Sequence, residues 1–242
     1  MLKYSVKRIL LAILTIFIIA AITFFAMNAI PGGPFAKEKA PEPRVQAVLE
    51  ARYHLDKPVG QQFLLYLQNI ARGDFGVSLK TGREISQTIF NSFSVSARLG
   101  AMAILTALVF GLLLGSTAAL MRGKWLDRGI IFFTILFVSV PSFILATLLL
   151  LIFSHWLGWF KVWSVTNPNY TLPVIALALY PMSYITRLTK SSMLDVLGQD
   201  YIRTARAKGV HDRKVIAKHA LRNALIPVVT YMGPLTAYIL TG

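Results

Sequence analysis

The sequence has 242 residues, with 25 Lys and Arg against 10 Asp and Glu and a formal net charge of +15, yet it is 55% hydrophobic and only 14% charged. Together with a mean hydropathy of +0.61, this excludes a disordered polybasic chain and argues against a soluble nucleic-acid-binding domain, whose charge comes with a polar surface. An integral membrane protein reconciles the two facts, because apolar spans raise the hydropathy while cytoplasmic loops gather Lys and Arg.

The first element is Ile9–Ile30, twenty-two residues without a charge. As a helix it rises roughly 33 Å, enough for a hydrocarbon core of about 30 Å. Lys3, Lys7 and Arg8 precede it, as in a signal peptide. The apolar part is longer than a signal core and no small-x-small cleavage site follows, so it reads as an uncleaved anchor. The segment Pro31–Arg98 is long and mixed, with nine basic and six acidic residues. Within it, Glu42–Tyr53 suits a short helix. Gln61–Ala71 places Phe63, Leu64, Leu67 and Ile70 near one helical face, with Gly73 as a stop. This segment reads as a small folded subdomain whose surface is either solvated or in contact with a partner protein.

Leu99–Leu120 is uncharged and carries Ala103, Ala107, Gly111, Gly115 and Ala119 at four-residue intervals. In lipid, such a stripe lets helices pack closely. It serves either packing within the chain or packing against a partner subunit. Gly129–Phe153 is an uncharged run with Pro141, Tyr170–Ile185 is shorter and holds Pro173 and Pro181, and Leu225–Gly242 holds Pro227 and Pro234. Each reads as a membrane helix, since backbone groups in lipid are satisfied internally. None alternates like a barrel strand.

Orientation follows from the loops. Lys and Arg number three before the first span, three in Met121–Arg128, nine in Thr186–Asn223, but one, Lys161, in Ser154–Asn169. By the positive-inside rule the first three segments face the cytoplasm and the last faces out. The N-terminus is therefore inside and the span count is odd, at five.

None of these spans contains Asp, Glu, Lys, Arg or His. That counts against a proton- or ion-coupled secondary transporter and against an intramembrane acid–base enzyme. Uptake that followed an ion gradient and survived ATP depletion would favour the transporter. The polar groups that remain are Ser139 and Ser142 around Pro141, Tyr180 and Tyr184 around Pro181, and Tyr231, Thr236 and Tyr238. They line a polar path or bond to neighbouring helices. Of these, Ser139, Ser142, Tyr180, Tyr184 and Tyr231 are the pathway candidates. His54, His155, His211 and His219 lack ligand spacing, and Cys is absent, so neither a metal site nor a disulfide framework is expected.

Thr186–Asn223 is punctuated like a set of short helices. Gly198 ends the first; Asp200 suits a cap for Tyr201–Lys208, with Gly209 as its stop; Asp212 suits a cap for Arg213–Arg222, with Val215, Ile216 and Ala220 on one side. The result is a helix–turn–helix hairpin tied between two spans, which disfavours nucleic acid as a partner. Charge alone leaves open an anionic lipid surface or a groove on a cytoplasmic protein.

The run Tyr201-Ile202-Arg203-Thr204-Ala205-Arg206-Ala207-Lys208-Gly209, followed by His219-Ala220-Leu221-Arg222-Asn223-Ala224-Leu225-Ile226-Pro227, resembles the cytoplasmic loop of ABC-transporter permeases. The oligopeptide and dipeptide permease branch is the most similar. Supporting motifs are Lys3-Tyr4 with Arg8, Pro31-Gly32, Arg52-Tyr53-His54-Leu55, Gly73-Asp74-Phe75-Gly76, Val140-Pro141-Ser142-Phe143 and Tyr231-Met232-Gly233-Pro234. The general permease motif has Glu-Ala-Ala, three residues, Gly, nine residues, then Ile-x-Leu-Pro. Aligned on Gly209, it is matched at Ala205, Gly209 and Leu221, while Arg203 stands at the acidic position and Arg222 at the proline.

The resemblance implies an all-α integral membrane protein with the type I ABC importer permease fold, five spans of an expected six, and a folded extracellular loop between spans one and two. It divides the chain into residues 1–30 (tail and first span), 31–98 (extracellular subdomain) and 99–242 (permease core with the coupling loop 186–223). Tyr201, Arg203, Thr204, Ala205, Arg206, Lys208, Gly209 and Leu221 would form the ATPase-coupling element. The implied partners are a second homologous permease subunit, two cytoplasmic ATPase subunits that carry ATP and Mg, an extracellular substrate-binding protein, and lipid. No catalytic residue, metal or cofactor is expected on this chain, and Gly123-Lys124-Trp125 fails as a phosphate-binding loop. The implied cargo is a dipeptide or oligopeptide, with nickel and glutathione as alternatives carried by some relatives. A membrane-anchored scaffold using the basic loop is a further alternative, and co-purification with an ATPase would discriminate. A sixth span normally follows in this family, so the 242 residues are expected to form an incomplete pathway when alone.

Overall fold

The computed structural model describes residues 2–29, 57–78, 81, 83–164 and 166–241. Pro31-Gly32, the expected helix Glu42–Tyr53 and the Arg52-Tyr53-His54-Leu55 motif lie outside the described residues. Among those described, the chain is helical apart from loops and an isolated bridge between Val77 and Glu84. It folds as two compact units, Met1–Ile89 and Phe90–Gly242.

In the first unit, α1 covers Leu2–Ala29 and α2 covers Val59–Ala71. Phe63 of α2 is buried among Phe17, Phe24 and Phe25 of α1, with ring centroids 5.9, 5.3 and 5.2 Å away. Phe24 also stacks on Tyr66 at 5.4 Å. Leu64, expected on this face, is instead 66% exposed. It sits about 100° round the helix from Phe63, whereas Leu67 and Ile70 return to the inner side. Gly73, at φ 77°, ends α2 as predicted: its N–H donates to the Ile70 carbonyl at 2.9 Å, and that of Asp74 to Asn69 at 3.0 Å. The Gly73-Asp74-Phe75-Gly76 motif is a locked turn. Asp74 Oδ1 accepts from the Gly76 N–H at 2.8 Å, and Ser86 Oγ donates to the Gly73 carbonyl at 2.9 Å.

Helix α3, Ile85–Leu120, starts well before the expected Leu99. Arg98 is its lone charge, and one exposed cation does not stop a helix otherwise free of Pro. Ala103, Ala107, Gly111, Gly115 and Ala119 are all buried against helices of the same chain. A Cβ on Gly111 would lie 2.7 Å from Ile185 Cγ2, and one on Gly115 would lie 2.5 Å from the Thr186 carbonyl oxygen. Packing within the chain is thus the use made of the stripe, and it brings two backbones together. Gly115→Ala is expected to cost about 1–3 kcal/mol by overpacking, read as a lowered thermal midpoint of the purified subunit. Gly129→Ala is the control, because nothing lies within 4 Å of that added methyl. Equal midpoints for the two variants would contradict the close approach.

The run Gly129–Phe153, expected to be one helix, is broken. Helix α4, Trp125–Ser139, and helix α5, Ser142–Trp156, meet at 107°. The cause is Pro141, which lacks an N–H and drives the preceding residue out of the helical region: Val140 is extended at φ −87°, ψ 127°. The second half of α5, Leu150–Trp156, has π-helical turns.

Helix α6, Thr171–Leu197, carries the fourth predicted run and continues beyond Ile185 up to Gly198. Helix α7 is Asp200–Ala207, and α8 is a 30-residue helix, Asp212–Thr241. The second expected hairpin helix therefore does not end at Arg222. With neither Gly nor Pro between Arg213 and Ile226, it runs straight into the last apolar run. Helices α1, α3 and α8 are long and apolar enough to cross a membrane, and the bent α4–α5 pair makes a fourth such element if counted as one.

Two apolar clusters hold the second unit. One gathers Ala103 and Ala107 of α3, Ala178 and Ile185 of α6, and Val228, Leu235 and Ile239 of α8. The other gathers Ala119, Met193, Ile202, Val215, Ala220 and Ala224. Both draw on α3, α6 and α8, so the hairpin rests on the ends of the same helices that form the membrane core.

Candidate functional site

The hairpin is built around Ile202. This side chain is fully buried, with Val215 and Ala220 of α8 beneath it and Ala205, Ile216 and Leu221 packed at the edge. Val215, Ile216 and Ala220 thus face inward as their spacing predicts. With Ile202 and Ala205 turned down, Arg203, Thr204, Arg206, Ala207 and Lys208 remain exposed on α7. Six of the eight candidate coupling residues therefore divide in two. Arg203, Thr204, Arg206 and Lys208 form an exposed, mainly basic surface, with Asp200 beside Arg203 and Asp212 beside Arg206, while Ala205 and Leu221 seat the helix.

Both expected caps are corrected. Gln199, at φ −75°, ψ 151°, precedes α7, so Asp200 is the first helical residue. Its carboxylate suits the positive helix start and lies 3.7 Å from Arg203. His211 caps α8, its Nδ1 accepting from the Arg213 N–H at 3.3 Å. Asp212 pairs with Arg206 across the turn at 3.4 Å. Gly209 is confirmed as the stop. At φ 75° its N–H donates to the Arg206 carbonyl at 2.9 Å, and the Val210 N–H to Ala205 at 3.2 Å. Two of the orphan carbonyls of the helix end are thereby satisfied.

Tyr201 is partly exposed, and its hydroxyl accepts a hydrogen bond from Asn223 Nδ2 at 2.9 Å. Sequence reasoning passed over Asn223. It also passed over the pairing of buried Asp127 on α4 with half-buried Lys190 on α6. Asp127 Oδ2 accepts from the Gly123 N–H at 3.0 Å, so one carboxylate closes the Met121–Lys124 turn and binds α6. The available signal was that Asp127 is the lone acidic residue of its loop.

Of the pathway candidates, Tyr184 on α6 and Tyr231 on α8 are brought together, with ring centroids 4.4 Å apart. Tyr180 lies one turn away from Tyr184 on α6 and is exposed. Ser139 and Ser142 flank the bend at Pro141, both exposed, and among the described residues no hydrogen bond joins them to the tyrosines. No cluster of three His, Asp or Glu side chains among the described residues forms a metal-binding group.

Residues 111–242 match the family described as binding-protein-dependent transport system inner membrane component. Residues 1–100 match its N-terminal counterpart, the N-terminal part of binding-protein-dependent transport system membrane components. The chain is similar to the dipeptide transport system permease protein DppB of Bacillus subtilis, 47% identical over 100% of this chain and 79% of that protein. It is similar to the oligopeptide transport system permease protein OppB of Haemophilus influenzae, at 42% over 100% and 80%. It is also similar to DppB of Lactococcus lactis, at 40% over 100% and 80%. With apolar helices, a hairpin seated on their ends and these matches along its length, the chain belongs to the binding-protein-dependent transport system inner membrane component family and is a multi-pass membrane permease subunit.

Proposed function

We propose that this chain is one of two homologous permease subunits of an ATP-driven importer that moves dipeptides or oligopeptides into the cytoplasm. The observation that carries the cargo class is the set of relatives named dipeptide or oligopeptide permeases, 40% to 47% identical over the whole chain. The exposed basic face of α7, held from below by Ile202, supports the coupling role. Two cytoplasmic ATPase subunits hold ATP and Mg and receive α7 in a groove. An extracellular binding protein delivers the peptide to the side that bears residues 31–98. The N-terminus is cytoplasmic in the cell membrane, and the chain crosses five times, the α4–α5 pair counting as one broken crossing.

In this reading α7 is a short rigid lever. Its movement with the ATPase reaches α3, α6 and α8 through the shared Ile202 cluster, and rocking of these helices opens the path to alternate sides. Tyr180, Tyr184 and Tyr231 present hydroxyls and ring faces without charge, which suits a peptide of variable sequence. Ser139 and Ser142 border the same path at the bend.

The test is uptake by the complete reconstituted transporter. Labelled short peptides are expected to enter with ATP, and unlabelled peptides to compete, whereas nickel and glutathione do not. Competition by nickel or glutathione but not by peptides would replace the cargo class. Uptake that persists without ATP would remove the importer reading.

A further inference from the structure

We propose that Asn223 is a positioning residue that ties the coupling helix α7 to the membrane helix α8, so that displacement of α7 is handed to α8 and not absorbed by the hairpin turn. This rests on the coupling role proposed above. The amide Nδ2 of Asn223 has two N–H groups. One geometry serves both: it donates to the Tyr201 hydroxyl at 2.9 Å and to the His219 carbonyl at 3.1 Å. Asn223 stands just where the π-helical turns Val215–Leu221 give way to regular helix at Arg222. The bond therefore fixes the start of α7 to the place where α8 recovers its ordinary pitch.

Three ties join α7 to α8, and they differ in kind. Arg206 and Asp212 pair at 3.4 Å beside the turn, but both are largely exposed, so water screens the pair. Ile202 is buried against Val215 and Ala220, a strong but non-directional contact about which a helix can pivot. The Tyr201–Asn223 bond is directional and lies at the end of the hairpin remote from the turn. There it blocks the pivot that Ile202 alone permits. Tyr201 is 42% exposed, so water competes for the bond and its worth to folding is small. Its loss should thus be read in coupling, with the fold left in place.

The experiment measures peptide uptake per ATP hydrolysed by the complete transporter in proteoliposomes, alongside its thermal midpoint. Asn223→Ala, Tyr201→Phe and the double variant are compared. Each single change is expected to lower the ratio about twofold, the low end of one net hydrogen bond, and the double variant is expected to fall no further. The thermal midpoint of Asn223→Ala should match the parent. Parental ratios in the single variants overturn the latch, as do multiplied losses in the double variant or a midpoint that falls in step with the ratio. The paired reversal Arg203→Glu with Arg206→Glu separates the two levels. If it lowers the ratio while the latch variants do not, only the latch is wrong. If it leaves the ratio intact, the coupling reading fails and takes the latch with it.

Discussion

Asp127→Ala is expected to lose about 1–3 kcal/mol of stability, the usual cost of leaving a partly buried polar group without its partner. The side chain of Asp127 is 8% exposed and that of Lys190 is 20% exposed, so solvent replaces the lost partner only in part. The substitution breaks two contacts at once, because the same carboxylate accepts the Gly123 N–H at 3.0 Å. Gly123 is at φ 79° in the turn between α3 and α4, so this turn loses its side-chain lock while α4 loses its tie to α6. Asp127→Asn combined with Lys190→Met should recover most of the loss. Asn keeps an acceptor for Gly123 and Met fills the space of the Lys stem, with no charge left buried. Thermal unfolding of the purified subunit checks this. A single variant within about 0.5 kcal/mol of the parent, the range of an ordinary surface change, would mean the pair is solvated.

Gly209→Val is expected to be the most damaging single change in the hairpin. Gly209 sits at φ 75°, yet nothing lies within 4 Å of a Cβ placed there. The penalty is therefore purely one of backbone conformation, about 1–3 kcal/mol for a residue that disfavours the left-handed region and worst for a β-branched one. Valine would shift the turn, release the carbonyls of Arg206 and Ala205, and fray the end of α7 that presents Arg206 and Lys208. Gly209→Asn should be mild, since Asn visits this region readily and has the space to do so. Uptake per ATP should follow the order Gly, Asn, Ala, Val. If Asn and Val were equally harmful, crowding against an ATPase would be the better explanation.

Much of this architecture was legible in the residues. Charge-free runs located the apolar helices α1, α3 and α8 and the bent α4–α5 pair, and Gly198 and Gly209 punctuated the hairpin because a helix end there leaves carbonyls that these residues help satisfy. The four-residue spacing of Ala103 through Ala119 marked a packing face, although spacing could not say which helices it meets. Local chemistry was harder. Pro141 announced a break but not a bend of 107°. Asp200 and Asp212 looked like caps, yet Gln199 and His211 hold those positions, since any residue with extended backbone can precede a helix. The least legible features were contacts between distant residues. Asp127 and Lys190 are 63 positions apart, and Tyr201 and Asn223 are 22 apart. Neither pair has a periodicity that marks it before the helices are assembled.

The glycines of α3 also constrain how this unit is able to move. With no room for a methyl at Gly111 or Gly115 against α6, the two helices are meshed like a toothed rack. A screw of α3 by one residue, a rise of about 1.5 Å with a turn of about 100°, would drive Leu112 or Leu114 toward the backbone of α6. The next small residue arrives only after four positions, about 6 Å along the axis. Small continuous creep is thereby forbidden. A jump by a full tooth fails too, since it would bring Ala107 or Ala119, each carrying a methyl, to a place with no room for one, so α3 and α6 travel as one piece.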